Sequence, residues 1–249
     1  MSGHSKWATT KHRKGAKDQA RAKVFAKLIR QVEVAAREGG GDVNANAALR
    51  TMYQKAREAS VPVDTIDRAV KRGTGELEGV RYEAISYEGY GPSGVAVIVE
   101  TLTDNRNRTS AEIKHVFGRQ GGAIAEPGAV AWQFDRKGLL DVAGPLDEDQ
   151  LLEWIMEAGA ENYEASGTNY TVTTEPHDLA VVRHALETHG LKVTSSELTL
   201  VPQNVVPVTD EVEAKKVLRL MDAIDDHDDV QNVWSNFDIP DDVLAAAID

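Results

Sequence analysis

The stretch LLDVAGPLDEDQLLEWIMEAGAENYEASGTNYTVTTEPHDLAVVRHALETHGLKVTSSELTLV, residues 139–201, decides the fold. Leu139–Val142, Asn162–Ala165, Tyr170–Thr174 and Val193–Leu200 are short runs rich in β-branched and aromatic residues, which predicts strands. Between them, 147–158 and 177–189 carry apolar residues at helical spacing, and Asp147 with Gln150 reads as a capping box. The order strand, helix, strand, strand, helix, strand is that of a ferredoxin-like unit.

Outward from that unit, both flanks extend the same theme. Upstream, Tyr82–Glu88 and the buried-strand run Val95–Thr101 precede a helix that Thr109 and Glu112 would cap, followed by short strands at Gly122–Ala125 and Val130–Phe134. Downstream come a helix over Asp210–Asp225 and a strand over Val230–Asn236. Joined across the insert, these flanks complete a second unit of the same kind. Farther upstream lie three helices: Asp18–Arg37, Asn46–Ala59 and one starting at Asp64, a suitable cap. In the first, Val24, Phe25, Leu28, Ile29, Val32 and Ala36 share one face, and Gly39, Gly40 and Gly41 end it. Thr74–Gly79 reads as a linker. The expected fold is an α+β multidomain protein, with an N-terminal three-helix domain followed by two ferredoxin-like α/β domains, one inserted into the other. The expected units are 1–78, then 79–136 with 203–249, and 137–202.

Charge is distributed unevenly over this plan. Residues 1–72 hold 16 Lys or Arg against 7 Asp or Glu, a balance of +9, whereas the remaining 177 residues hold 12 against 33, a balance of −21. Such segregation calls for an anionic partner at the N-terminal end. Lys6, Trp7, Lys11, His12, Arg13, Lys14 and Lys17 form an aperiodic basic arm, and Lys23, Lys27 and Arg30 form a stripe on the first helix opposite its apolar face. Lysine and arginine neutralise phosphates and release counterions, and an indole stacks on a base. No helix-turn-helix with a defined recognition helix is apparent, so backbone contacts are expected to dominate. Arg106 and Arg108, in the loop Thr103–Thr109 ahead of a helix, are further candidates for phosphate contact.

Other classes of function find little support. The chain has no cysteine, which removes disulfides, thiolate metal sites and Cys nucleophiles and fits a reducing compartment. No apolar run approaches the roughly 18 residues of a membrane span, and no apolar core follows the N-terminal charges as a secretory signal requires. The glycine-rich turn Glu88–Gly94 lacks a phosphate-binding lysine, and neither a nucleophile elbow nor a paired histidine metal motif occurs. Asp225, Asp226, Asp228 and Asp229 could in principle hold Mg²⁺, but adjacent residues rarely converge on one ion, and a solvated acidic loop is the expectation.

The segments Gly3–Ala8, Lys11–Lys14, Ile66–Gly75, Tyr87–Pro92, Leu102–Thr109 and Gly121–Gly122 resemble the YebC/PmpR family, related to the mitochondrial translational activator of cytochrome c oxidase. Ser60-Val61-Pro62, where that family commonly has Asn-Met-Pro, is one departure. The resemblance implies three domains and a cytoplasmic DNA-binding transcriptional regulator, or alternatively a ribosome-associated, rRNA-contacting translation factor. A metal-dependent Holliday-junction nuclease using the Asp225–Asp229 cluster ranks third. The expectation is a non-enzymatic protein that needs no cofactor or metal, binds DNA or RNA, and has no membrane or small-molecule partner.

Overall fold

The computed structural model describes residues 17–143, 148–166 and 169–248. The expected cap at Asp147 lies outside them, as does the arm from Lys6 to Lys14. The protein is α+β, with N-terminal helices preceding two sheet domains.

Three helices open the fold: α1 (Lys17–Gly39), α2 (Ala47–Glu58) and α3 (Val63–Gly73). Val32, Ala35, Ala36, Leu49, Ala56, Ile66 and Ala69 form their buried core, with Phe25, Leu28 and Ile29 packed on its flank. Val24, expected on the apolar face, is exposed instead, because the core begins one residue later. Gly40, at φ +84°, provides the left-handed turn that ends α1. Asn46 then serves both helices, its amide donating to the carbonyls of Ala35 and Gly40 while its oxygen caps Leu49 N–H at 3.0 Å. The residue preceding α3 is Pro62, so Asp64 belongs to the first helical turn rather than the cap. There its charge still favours the positive helix end.

The first sheet is antiparallel with strand order β3-β1-β2-β9, built from β1 (Glu83–Tyr90), β2 (Ala96–Thr103), β3 (Ala123–Ala125) and β9 (Val230–Ser235). Helix α4 (Arg106–Arg119) links β2 to β3. The spatial order is ferredoxin-like, but the strand between β2 and β3 is β1, which precedes both in the chain. The strand expected at Val130–Phe134 does not occupy that place: Ala131–Gln133 form a 3-10 turn. The Glu88 carboxylate takes the amides of Gly128, Val130 and Ala131 at 2.6–2.8 Å, so this segment cannot offer them to a ladder. The cap of α4 is likewise Asn105, whose side chain accepts from Arg108 N–H; the expected Thr109 is buried within the helix.

The second sheet has the order β5-β6-β4-β7, the expected arrangement, from β4 (Phe134–Ala143), β5 (Asn162–Ser166), β6 (Asn169–Thr174) and β7 (Lys192–Pro202). Helices α5 (Glu148–Ala158) and α6 (Leu179–Thr188) cover it, burying Leu151, Ile155, Val182 and Leu186 against Leu140, Val142 and Val172. The chain then returns through β8 (Val206–Pro207) and α7 (Glu211–Asp225) to β9. A parallel pair of β8 with β10 (Phe237–Asp238) and a last helix, α8 (Asp241–Ile248), close the first sheet's core. β2 is buried on both faces. Val97 and Val99 meet α4 and α7, whereas Ala96 and Ile98 join Val130 and Phe134, with Leu200 and Trp234 alongside, in a small core between the two sheets. Trp234 Nε1–H donates to Thr199 across that contact at 2.9 Å.

Candidate nucleic-acid interface

The residues singled out as basic stripe, arginine loop and acidic cluster come together in one place. Lys23, Lys27 and Arg30 stand at i, i+4 and i+7 on α1, so they line one side of the helix while its apolar side faces the three-helix core. That side meets the turn following α7. Lys23 Nζ lies 2.9 Å from Asp226 Oδ1, and Lys27 Nζ lies 3.0 Å from Asp225 Oδ1. Both ammonium groups also donate to the carbonyls of the same aspartates. Helix α7 has no basic residue in its last turn. Its C-terminal carbonyls, which attract cations, are therefore served from another domain.

Arg30 completes the row. Its Nη1 donates to Asp228 O at 2.7 Å and to Asp229 Oδ1 at 3.0 Å, and the guanidinium lies over the Tyr82 ring, 5.5 Å from its centroid. Asp229 is the hub of the joint. Only 3% exposed, it also accepts from Arg108 Nη2 and from Thr109 Oγ1, each at 2.7 Å, through Oδ2. Burial alone would raise the carboxyl pKa, but the Thr109 hydroxyl and the guanidiniums of Arg108 and Arg30 outweigh it and hold the group below its ordinary value. Thr109 further bonds Thr103 Oγ1 at 2.7 Å, and Leu102 N–H donates to Asp229 O. The two arginines expected in a loop thus lie in the first turn of α4, and that turn, the acidic turn and α1 are sewn into one joint.

This arrangement corrects the reading of Asp225–Asp229 as a solvated loop. Opposite charge on α1 recruits it, and Asp229 is buried. It also gives the candidate residues different standings. Lys23, Lys27, Arg30 and Arg108 are held in ion pairs, whereas Arg106 is exposed with no ion-pair partner among the described residues. Lys17 opens α1. Lys6, Trp7, Lys11, His12, Arg13 and Lys14 lie outside the described residues. The role of Asp229 as a buried hub escaped the sequence reading because its side-chain partners are 120 residues and more away. The available signal was the match between a cationic stripe and an anionic run of similar length.

Glu112, His227 and Asp229 bring three potential metal donors within 4.8 Å of one another. Those donors are already engaged. His227 Nδ1 accepts from Asp229 N–H, which assigns the ring proton to Nε2 for donation to Glu112 at 2.9 Å. Asp229 meanwhile serves Thr109 and two guanidiniums. Of the aspartates expected of a nuclease, Asp225, Asp226 and Asp229 face separate cations, and Asp228 meets Arg30 through its backbone carbonyl.

One further buried charge fixes the surroundings. Glu33 on α1 pairs with Arg72 at 2.9 Å and Arg37 at 3.4 Å, tying α1 to the end of α3. Arg37 also donates to Val80 O, which lays the linker along α1. Among the described residues no helix is long and apolar enough to cross a membrane.

Comparison with known proteins supplies the context. Residues 5–76 match the "TACO1/YebC protein N-terminal domain" and residues 82–237 match the "TACO1/YebC second and third domain". A "Probable transcriptional regulatory protein" of Halothermothrix orenii is 52% identical, covering 98% of both chains. One of the same description from Desulfatibacillum aliphaticivorans is 51% identical, over 98% of this chain and 99% of the relative. The crystal structure of a conserved hypothetical protein of Aquifex aeolicus superposes with a TM-score of 0.80 at 42% identity, covering 90% of this chain and 93% of that one. With both parts matched and near-full-length relatives at about half identity, the chain belongs to the TACO1/YebC family.

Proposed function

We propose that this chain is a non-enzymatic, cytoplasmic nucleic-acid-binding regulator that acts as a DNA-binding transcriptional regulator. The observation that carries the reading is the charge split, +9 over residues 1–72 against −21 over the rest. A cationic end grips a polyanion while the acidic body, repelled by bulk nucleic acid, stays clear and presents itself to other partners. The names of the relatives support a regulatory role. Since the α1 stripe is engaged within the chain, first contact falls to Lys6, Lys11, Arg13, Lys14 and Lys17, with Trp7 stacking on bases or sugars. The working units are 1–78, 79–136 with 203–249, and 137–202.

Replacing Lys11, Arg13 and Lys14 with Ala tests this. Affinity for duplex DNA is expected to fall, and the slope of log K against log salt to flatten by up to about one unit per lost phosphate contact. An unchanged slope refutes a role for the arm. A second reading, a ribosome-associated factor contacting rRNA, is favoured by one observation. The exposed face of α3 mixes Asp64 and Asp67 with Arg68 and Lys71, which suits no major-groove reader. Sequence-selective duplex binding that survives competitor DNA supports the first reading; cosedimentation with ribosomes at moderate salt supports the second.

A further inference from the structure

Among the described residues, the joint between α1 and the acidic turn differs in kind from the contact between the two sheets. The three-helix core is closed on itself, and none of its residues enters the cores around the two sheets. The two sheets, by contrast, share a small apolar core. Where α1 meets the turn after α7, contact is made by the tips of Lys23, Lys27 and Arg30. Between them a groove lined by Ala22, Ala26 and His227 remains open. The attachment is an array of ion pairs, two of them partly solvated, that a competing polyanion can replace one for one. The acidic side of the array also has a polyanion's form. Carboxylates and helix-end carbonyls present successive negative groups to cations spaced by one turn of helix, about 6 Å and 4.5 Å along the axis.

We propose that the turn Asp225–Asp229 is an intramolecular mimic of a nucleic-acid backbone. It occupies Lys23, Lys27 and Arg30, so that engagement of nucleic acid by the cationic end releases α1 from the body and adds the stripe to the binding surface. The proposal rests on the nucleic-acid reading above and adds its regulation. Binding then proceeds in two stages, with capture by the residues ahead of α1 followed by exchange of aspartates for phosphates along it. Asp225 and Asp226 form the competing surface. Asp229 stays with Arg108 and Thr109 as a fixed part of the body after Arg30 leaves. The two states differ in where the helical domain sits relative to the sheets, and the linker over residues 74–79 absorbs the change.

The test compares Asp225→Asn/Asp226→Asn with Glu153→Gln/Glu157→Gln in the full chain. The second pair removes the same charge from exposed positions on α5, away from the joint. Short duplex DNA and short single-stranded RNA serve as probes. The Asn pair is expected to bind about three- to tenfold more tightly than the Gln pair, as release of two ion pairs of this exposure allows. In parallel, Glu58→Cys/Asp242→Cys, labelled for energy transfer in a chain otherwise without cysteine, reports the distance between helical domain and body. Saturating probe is expected to lower the transfer efficiency. Equal affinity in the two charge variants, or an efficiency that saturating probe leaves unmoved, overturns the proposal while leaving nucleic-acid binding intact. If the parent chain binds neither probe but the Asn pair does, there is no capture by the residues ahead of α1 and the two-stage proposal is overturned. If neither protein binds either probe, the functional reading falls and takes this proposal with it.

Discussion

Asp229 concentrates more of the structure on one carboxylate than any other side chain of the joint. Its two oxygens receive Arg30, Arg108 and Thr109, and burial leaves no water to replace them. Asp229→Asn keeps one acceptor but turns an amide donor toward guanidinium groups, leaving cationic donors unpaired. A loss of about 3 kcal/mol is expected, read from the urea midpoint. The pH dependence has a definite sign. The folded carboxyl pKa lies below the unfolded value of about 3.9, so its contribution is complete above that value and is lost as pH falls through the folded one. The parent is therefore expected to lose stability more steeply than the variant as pH falls below about 4. At Ser60 the opposite outcome is expected. Ser60 N–H bonds Arg57 O and Val61 N–H bonds Ala56 O, both at 2.9 Å, which makes a Schellman end for α2 with a serine at φ +65°. Glycine takes this conformation without strain, so Ser60→Gly is expected to raise stability by up to about 1 kcal/mol in thermal unfolding.

At the level of elements, helices were legible where periodicity and stops agreed. The apolar rows of α1 to α3, the glycines after α1 and Pro62 after α2 all mark real boundaries within a few residues. The inserted unit was legible as a whole because its strands and helices alternate in the chain as they do in space. The first sheet was harder. Its strand β1 fills a place that local reading assigned to Val130–Phe134, and only Glu88, from β1 itself, decides the matter by capturing that segment's amides. Thr109 misled for a similar reason: a threonine at a helix start resembles a cap until its hydroxyl is seen to serve an aspartate 120 residues away. The close crossing of α1 and α3 was also invisible in the sequence. A Cβ added at Gly73 would fall on the Glu33 carbonyl and within 2.7 Å of Ala36 Cβ, neither of which is a flexible tip. Gly73→Ala is expected to wedge the helices apart and lose about 2 kcal/mol, despite alanine's better helix propensity. A Tm equal to that of the parent would mean that α1 and α3 can part at this crossing without cost.

For the whole molecule, the uneven charge that first pointed to a polyanion also explains how the chain holds itself together. A cationic helical domain and an anionic body attract each other, and the contact they make turns on charge: Lys23, Lys27 and Arg30 on one side, the Asp225–Asp229 turn on the other, with the Arg30 guanidinium also over the Tyr82 ring. Within each domain, by contrast, apolar cores carry the stability. These two kinds of cohesion respond oppositely to salt. Screening shortens the reach of charge from about 10 Å at 0.1 M to about 3 Å at 1 M, while it leaves apolar burial intact. Raising sodium chloride over that range is therefore expected to loosen the helical domain from the body without unfolding either. The radius of gyration measured by small-angle scattering should increase while the far-ultraviolet circular dichroism stays constant. Asp225→Asn/Asp226→Asn should reach the loosened state at lower salt than the parent, because two of its three stripe contacts have lost their charge partner. A radius that stays fixed to 1 M salt in both proteins would mean that the helical domain is seated by something other than charge.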